Sequence, residues 1–476
     1  GVYNGAATTS YRNIPGQTLT RDYGASPTST KIMSFGGWIK RQKAGFYSNL
    51  LSGTLGGGGV AQGYIYVNES DIIAVQDLVA GGSTTFSYIT NRKFRDVSSW
   101  YHLWVRIDTT DSTAGDRVQL WINGVRETSF STATAPSENA DTVALNQNKT
   151  HFFGHSNASY GGNVYYSDWY WLDGSSVSPV DTVGEFKGGV FIPKTYSGAS
   201  FGNKGWHLKF DQVGVGSPSS STIGADSSGN TNHWTSTANT NVEAHDCAMP
   251  DSPENNFCTL NPLYYLTAST HLSEGNLQLT HESTAHRANT GTMFSKTGKW
   301  YFEVRNKTDA AGSTIAIGVG LQDITKAITY ATGADNYVFY SNNNNARFQV
   351  NTTATTLSTD GTYTPGAGDI IQVAFDVDSG KIFIGLNNTY IAEDGGNDGD
   401  PAGGNNPTKT LSTPYGSTGY LPFVGVYNNE ATANFGQDDT FAGAISSAGN
   451  ADGNGKGVFK YAPPSGFLAL CSANLP

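Results

Sequence analysis

The sequence predicts an all-β chain: two antiparallel β-sandwiches joined by an ordered, irregular connector. Three observations predict it. Aromatic residues reach 12% of the 476 while charged residues make up only 14%, a stock that suits short, half-buried strands better than long surface helices. Apolar residues recur with a period of two in several runs, the spacing of strands with one face inward. Those runs close on Gly and Asn, which tight turns between antiparallel strands favour. The 58 Gly carry no three-residue period, so collagen is excluded.

Residues 32–41 read as a strand with Gly36-Gly37 inside it. Further on, Tyr101, Leu103, Val105 and Ile107 share one face of a strand, and His102, Trp104 and Arg106 the other. Val118, Leu120 and Ile122 alternate next, and Asn123-Gly124 follows as a hairpin turn. Residues 164–172 are apolar or aromatic on both sides apart from Ser167 and Asp168, which predicts a covering layer or a partner. From about 184 to 262 the pattern breaks into turn-forming segments. Trp206, Leu208, Phe210 and Trp234 remain as anchors there, marking an ordered joint rather than a free linker.

Alternation restarts at Trp300-Tyr301-Phe302-Glu303-Val304-Arg305 and continues through Ile315, Ile317, Val319 and Leu321. Ile371, Val373, Phe375 and Val377 form a further strand, and Asp378-Ser379-Gly380 turns it into Ile382, Ile384 and Leu386. Residues 421–426 and 433–436 complete the set. Residues 443–457 read as a loop, before a terminal run whose Phe459, Tyr461, Phe467 and Leu470 are expected to dock back.

The formal charge is −11, and no basic block exists to neutralise phosphates, so nucleic acid is not an expected partner. Lys40, Arg41 and Lys43 form the nearest thing to a basic cluster and read as a solvated strand end. No apolar run approaches the roughly 20 residues of a membrane helix, so membrane insertion is not expected. Gly1 opens the chain without a Met or an apolar signal core, which reads as a processed product or a chain with no signal peptide. Cys247, Cys258 and Cys471 are too few for a disulfide scaffold and read as reduced thiols.

Several short motifs carry a family likeness. Trp300 to Val304, Gly318 to Gly320, Gly368-Asp369, Phe375 to Asp378, Ile382 to Asn388, Pro422 to Val424 and Asn434-Phe435-Gly436 resemble the SPRY domain over about residues 265–440. The resemblance implies a concanavalin-like double sheet that binds proteins or other ligands through loops and is not a catalyst. Asn388 departs from it, standing where Gly is common. Phe35 to Arg41, Trp100 to Ile107, Leu120 to Val125, Phe153-Gly154 and Asp173-Gly174 resemble a laminin G-like or concanavalin A-like domain over about residues 1–180. That likeness implies binding of glycans or protein surfaces, sometimes through calcium.

The joint segments Phe191 to Lys194, Asn203 to Trp206, Asp226 to Trp234 and Asp251 to Pro262 look like those of tailed-phage virion proteins, marine ones especially. The closing run from Tyr461 to Cys471 looks like the end of their SPRY module. The likeness implies two jelly-roll-type sandwiches divided as 1–183, an ordered connector 184–264, a SPRY-like sandwich 265–442, and a loop with docking segment 443–476. It also implies a tail fibre, appendage or other exposed component on the tail or capsid exterior, with other virion proteins as partners. By family expectation the protein is a homo-oligomer, fibres often being trimers.

The residues themselves supply no recognisable catalytic set, and the chain reads as a non-enzyme. Glycan hydrolysis on such a fold needs paired carboxylates; Glu303 stands alone and reads as a paired surface residue. His102 has no recognisable Ser or Cys nucleophile with an orienting acid. Asp226 to Trp234 reads as an Asx-type turn anchored by Trp234. Glu393, Asp394, Asn397, Asp398 and Asp400 crowd one glycine-rich turn and offer the oxygens calcium takes, although an acidic turn is as readily a solvated loop. No cofactor is required.

Recognition rests on Tyr160, Tyr165, Trp169 and Trp171, in or beside one strand whose two sides cannot both face a single core. Flat rings with polar edges suit a glycan or protein surface; core plus subunit packing is the plainer use. The function expected is adhesion to a host-surface glycan or protein, multiplied by copy number on a particle. A structural capsid or tail decoration protein is the alternative, and a bacterial surface or secreted lectin a third.

Overall fold

The computed structural model describes residues 10–13, 18–22, 24, 26–53, 61–81, 84–153, 163–198, 200–237, 248–263, 271–281, 287–308, 313–321, 336–342, 345–350, 353–358, 361–411 and 419–476. The chain divides into two compact units, Gly1–Glu254 and Asn255–Pro476. The architecture is all-β, with antiparallel sheets packed face to face in each unit. The strands Trp206–Leu208, Thr235–Thr237 and Ala248–Met249, from the irregular central stretch, join the sheets of the first unit.

One sheet of the first unit runs, in neighbour order, Val125–Arg126, Val118–Ile122, Trp100–Asp108, Ile32–Arg41, Val164–Asp173, Ser10–Asn13 and Ala248–Met249. Trp206–Leu208 pairs with Val164–Asp173. The second sheet runs Phe130–Thr134, Thr84–Lys93, Ile72–Leu78, Gln62–Val67, Ser48–Gly53, His151–Phe153, Thr18–Arg21 and Thr235–Thr237. Between them lies one core: Phe35, Leu103, Val105 and Leu120 from the first sheet meet Leu51, Ile65, Val75 and Phe86 from the second. Period-two patterning is the cause, since every second side chain is delivered to the same face. Asn123 (φ 48°) and Gly124 (φ 74°) make the tight turn expected of them.

Strand Val164–Asp173 is buried along its whole length. Its outer face is covered by the chain itself. Tyr170 and Leu172 pack with Trp104, Val177 and Val183, while Tyr165 packs with Trp38, Trp100 and Met249. A bulge between Ser167 and Tyr170 puts Asp168 at φ 52° and lays Trp169 over Gly37. A Cβ at Gly37 would stand 2.4 Å from that indole, so no larger residue fits.

The expected solvated cluster at 40–43 is corrected by the structure. Lys40 and Arg41 are 1% and 0% exposed. Lys40 Nζ pairs with Asp251 at 2.8 Å, and Arg41 with Asp71 at 2.6 Å. Strand Ala248–Met249 joins the edge of the same sheet, and Asp251 just after it reaches Lys40, which local charge density does not reveal. Asp251→Ala is expected to cost about 3–5 kcal/mol, because it strips a buried ammonium of its carboxylate. Lys40→Met combined with Asp251→Leu is expected to cost much less, and paired urea melts check both.

In the second unit one sheet runs Leu272–Ser273, Gln278–His281, Asn429–Asn434, Lys299–Asn306, Ile370–Asp376, Lys381–Leu386 and Thr389–Ile391. The facing sheet runs Arg287–Thr290, Tyr420–Tyr427, Thr314–Leu321, Asn336–Asn342, Asn345–Val350 and Thr353–Ser358. Phe302, Val304, Val373 and Ile384 meet Ile317, Val319, Phe339 and Val424 in its core. Asn387 (φ 48°) and Asn388 (φ 69°) hold a left-handed turn that Asn tolerates without Gly. Leu468–Ala469 adds in parallel beside Trp300 and Tyr301. Phe459 and Phe467 pack with Tyr301 and Phe383 on the outer face of that sheet, so the terminal run docks as expected.

Candidate functional site

Three of the four aromatic residues singled out for recognition lie inside the first unit. Tyr165, Trp169 and Trp171 are 1%, 0% and 2% exposed, and Tyr160 lies outside the described residues. Trp169 Nε1 donates to the Trp38 carbonyl at 3.0 Å, and Trp171 Nε1 to Asn146 Oδ1 at 2.9 Å. Trp171 also stacks on Phe35 at 4.4 Å. These rings have no free face to offer. Trp169 and Trp171 are hidden in the core by Phe35, Phe153 and Trp206, and Tyr165 is covered on the outer face by Phe191 and Met249, a nonlocal fact the strand's own sequence cannot state.

The acidic turn is occupied with itself. Glu393 pairs with Lys409, and Asp394 Oδ1 accepts the Gly396 N–H. Asn397 Oδ1 accepts the Tyr363 hydroxyl, Asp398 accepts Asn406, and Asp400 accepts the Gly403 N–H and Asn405. No group of three or more His, Cys, Asp or Glu side chains converges among the described residues. Melting curves in millimolar calcium and in chelator are therefore expected to coincide, and an upward shift with calcium would show that the turn opens to take the ion.

Two buried polar groups act as structural fixings. Glu303 is 0% exposed, which corrects its reading as a surface residue. The segment carrying Lys460 and Tyr461 lies over it and donates two backbone N–H groups to it. His207 Nε2 meets Asp168 Oδ1 at 2.6 Å, and Tyr170 donates to the other oxygen at 3.0 Å. The His207 ring stacks on Tyr170 at 4.0 Å, and among the described residues no hydroxyl or thiol hydrogen-bonds to it. His102 is buried between Trp38, Trp104 and Phe191, and burial pushes its imidazole down to about 3, so it stays neutral. Cys258 and Cys471 are buried, the Cys471 thiol being pushed up to about 11 by burial; Cys247 lies outside the described residues.

A different surface carries partly exposed aromatic groups. On the second sheet of the first unit, Ile65, Val67, Val75 and Phe86 face the core, so their neighbours face out. Strand registers align these outward residues in one cross-strand row: Phe152, Ser52, Tyr64, Gln76, Ser87 and Thr134. Thr20 and Thr235 continue it beyond Phe152. Tyr66 stands in the next row, between Asn49 and Ala74.

Tyr64 and Tyr66 are half-buried, with ring centroids 6.4 Å apart, and Tyr47 stacks on Tyr66 at 5.0 Å. The Tyr66 hydroxyl donates to Gln76 Oε1 at 3.0 Å, and Gln76 Nε2 donates to Ser87 Oγ at 2.9 Å. Burial raises both phenols above their ordinary value, with Glu69 adding to the effect at Tyr66, so both remain neutral hydroxyls. None of the strands Ser48–Gly53, Gln62–Val67 and Ile72–Leu78 puts a charged side chain on this face, because Asp77 points inward to the N–H groups of Val143, Ala144 and Leu145. The signal was in the sequence: Tyr64 and Tyr66 alternate with Ile65 and Val67.

Comparisons with known proteins find one family and a set of solved structures. Three solved structures similar to the chain are the SPRY domain of human HERC1 (14% identity, TM-score 0.25), a native heptameric SAP-like pentraxin from Limulus polyphemus (12%, 0.28) and the TRIM65 PSpry domain (14%, 0.26). Each covers 37% of this chain, and the matches span 96%, 80% and 92% of those chains respectively. No curated protein matches. The SPRY domain family matches residues 299–438, the stretch that runs from strand Lys299–Asn306 past strand Asn429–Asn434. SPRY domains are non-catalytic scaffolds, and this chain carries one as its C-terminal domain.

Proposed function

We propose that the chain is a non-catalytic, exposed component of a phage virion, a tail fibre or appendage protein that adheres to a host-surface glycan or protein. In this reading the first unit is a laminin G-like or concanavalin A-like jelly roll, carried with the SPRY domain in one chain on the tail or capsid exterior. The protein works as a homo-oligomer, a trimer by the expectation for fibres, so that weak contacts add up to avidity. The single observation that carries the recognition role is the partly exposed, tyrosine-bearing face of the first unit, whose central strands put no charged side chain outward. Oligomeric protein is expected to bind bacterial cells and a subset of an immobilised glycan or surface-protein panel. Blank results on both cells and panel would reject the receptor role.

A second reading, a decoration protein contacting virion neighbours, is favoured by one feature. Val125, Phe186 and Val190 are 56%, 47% and 63% exposed. They are carried by the strands Val125–Arg126, Gly184–Lys187 and Val190–Pro193, and a docked neighbour would cover them.

A further inference from the structure

Resting on the recognition role above, we infer that the outward row of the first unit's second sheet is the binding track for an extended, uncharged polysaccharide lying across the strands. The row crosses all eight strands of that sheet, from Thr235 to Thr134. With strands about 4.8 Å apart, it is roughly 30 Å long. Six of its eight positions are partly or fully exposed, with Ser52 and Ser87 buried between them, and the positions fall in steps comparable to a single sugar ring of an extended chain. The positions are hydroxyls, one amide and aromatic rings, in the order Thr, Thr, Phe152, Ser52, Tyr64, Gln76, Ser87, Thr.

Charge selects among ligands. The central strands present no ion to pair with a uronate, a sulfate or a charged peptide, and a neutral sugar loses no salt bridge by binding here. The Tyr66–Gln76–Ser87 hydrogen bonds fix the polar groups in advance, so little ordering is needed on contact. Asn49 and Ser52 stand cross-strand from Tyr66 and Tyr64. A protein partner would instead favour a patch with an apolar centre and charged or Arg anchors at its hot spots.

The test uses the full chain, calorimetry with linear neutral glucans, mannans and galactans, a polyuronate as the acidic control, and cell binding in parallel. Binding to at least one neutral polysaccharide is expected, with Kd rising tenfold or more in each of Tyr64→Ala and Tyr66→Ala while Tm is nearly unchanged. Gln76→Ala is expected to weaken binding less. No neutral glycan binding, a preference for the polyuronate, or unchanged affinity in both tyrosine variants overturns the inference. If cells still bind the tyrosine variants fully, adhesion stands and runs through another surface, which also overturns the track. If the wild type binds no cells yet binds a neutral glycan through these tyrosines, the track stands and the host-adhesion role fails.

Discussion

Replacing Glu303 by Ala is expected to remove about 4 kcal/mol from the stability of the C-terminal unit and to loosen residues 458–471. Four donors converge on this one carboxylate. Oε1 accepts the Tyr301 hydroxyl and the Tyr461 N–H, both at 2.8 Å. Oε2 accepts the Lys460 N–H at 2.9 Å and Asn434 Nδ2 at 3.4 Å. Without it, two backbone N–H groups lose their acceptor, and the seat of Phe459 and Phe467 weakens with them. Hydrogen exchange over 458–471 and a urea melt read the two effects; full protection in the variant would contradict the anchoring role.

The same carboxylate gives a pH dependence. Burial pushes Glu303 up from 4.5 to about 7, against the hydrogen bonds from Tyr461, Lys460, Tyr301 and Asn434 that pull it down. The unfolded carboxyl loses its proton near 4.5 and the folded one near 7, so within that window rising pH favours the unfolded state. Stability from this group is full below 4.5 and is lost as pH rises through about 7, a change of about 3 kcal/mol. Glu303→Gln has no proton to release and should flatten that slope; identical wild-type and variant slopes would contradict the argument.

Asp173→Ala is expected to cost the first unit a similar amount, about 4 kcal/mol. Asp173 is 2% exposed and joins three separate segments. Its oxygens accept the N–H groups of Thr28 at 2.6 Å, Ser29 at 3.1 Å and Lys204 at 3.0 Å, and Asn146 Nδ2 at 2.7 Å. Asn146 in turn accepts the Trp171 indole, so the loss should reach the core. Asp173→Asn keeps one acceptor oxygen but turns an N–H₂ toward donors, and should recover only part of the loss. A shift under 1 kcal/mol in the Ala variant would mean that water replaces these contacts without penalty.

Much of the strand pattern was legible because one-face burial writes itself as alternation. Tyr101 to Ile107, Val118 to Ile122 and Trp300 to Val304 are strands where the period of two placed them. The turn residues at Asn123-Gly124 and Asn387-Asn388 were legible for a local reason: positive φ is tolerated by few side chains. In the first unit's second sheet Ile65 with Val67 and Ile73 with Val75 carry the same period.

What the sequence hid is long-range. Whether Tyr165 and Tyr170, on the outer face of 164–173, are open or covered depends on segments that return from residues 175–201 and 248–251. Charged residues were misread for the same reason. Lys40, Arg41 and Glu303 look like surface residues one by one, and only the folded chain supplies Asp251, Asp71 and the backbone of residues 460–461 to hold them. A chain with few charges places several of them inside as fixings, and this leaves the outer tyrosine face uncharged.

Hydroxyl-radical footprinting of the full chain, alone and bound to the host cell surface or its purified neutral polysaccharide, tests the central claim most directly. The account predicts protection of Tyr64, Tyr66 and Phe152 on binding, with the exposed Phe186 unchanged. Protection confined to the second unit or to the hairpin carrying Phe186, with Tyr64 and Tyr66 as reactive as in the free protein, would contradict it.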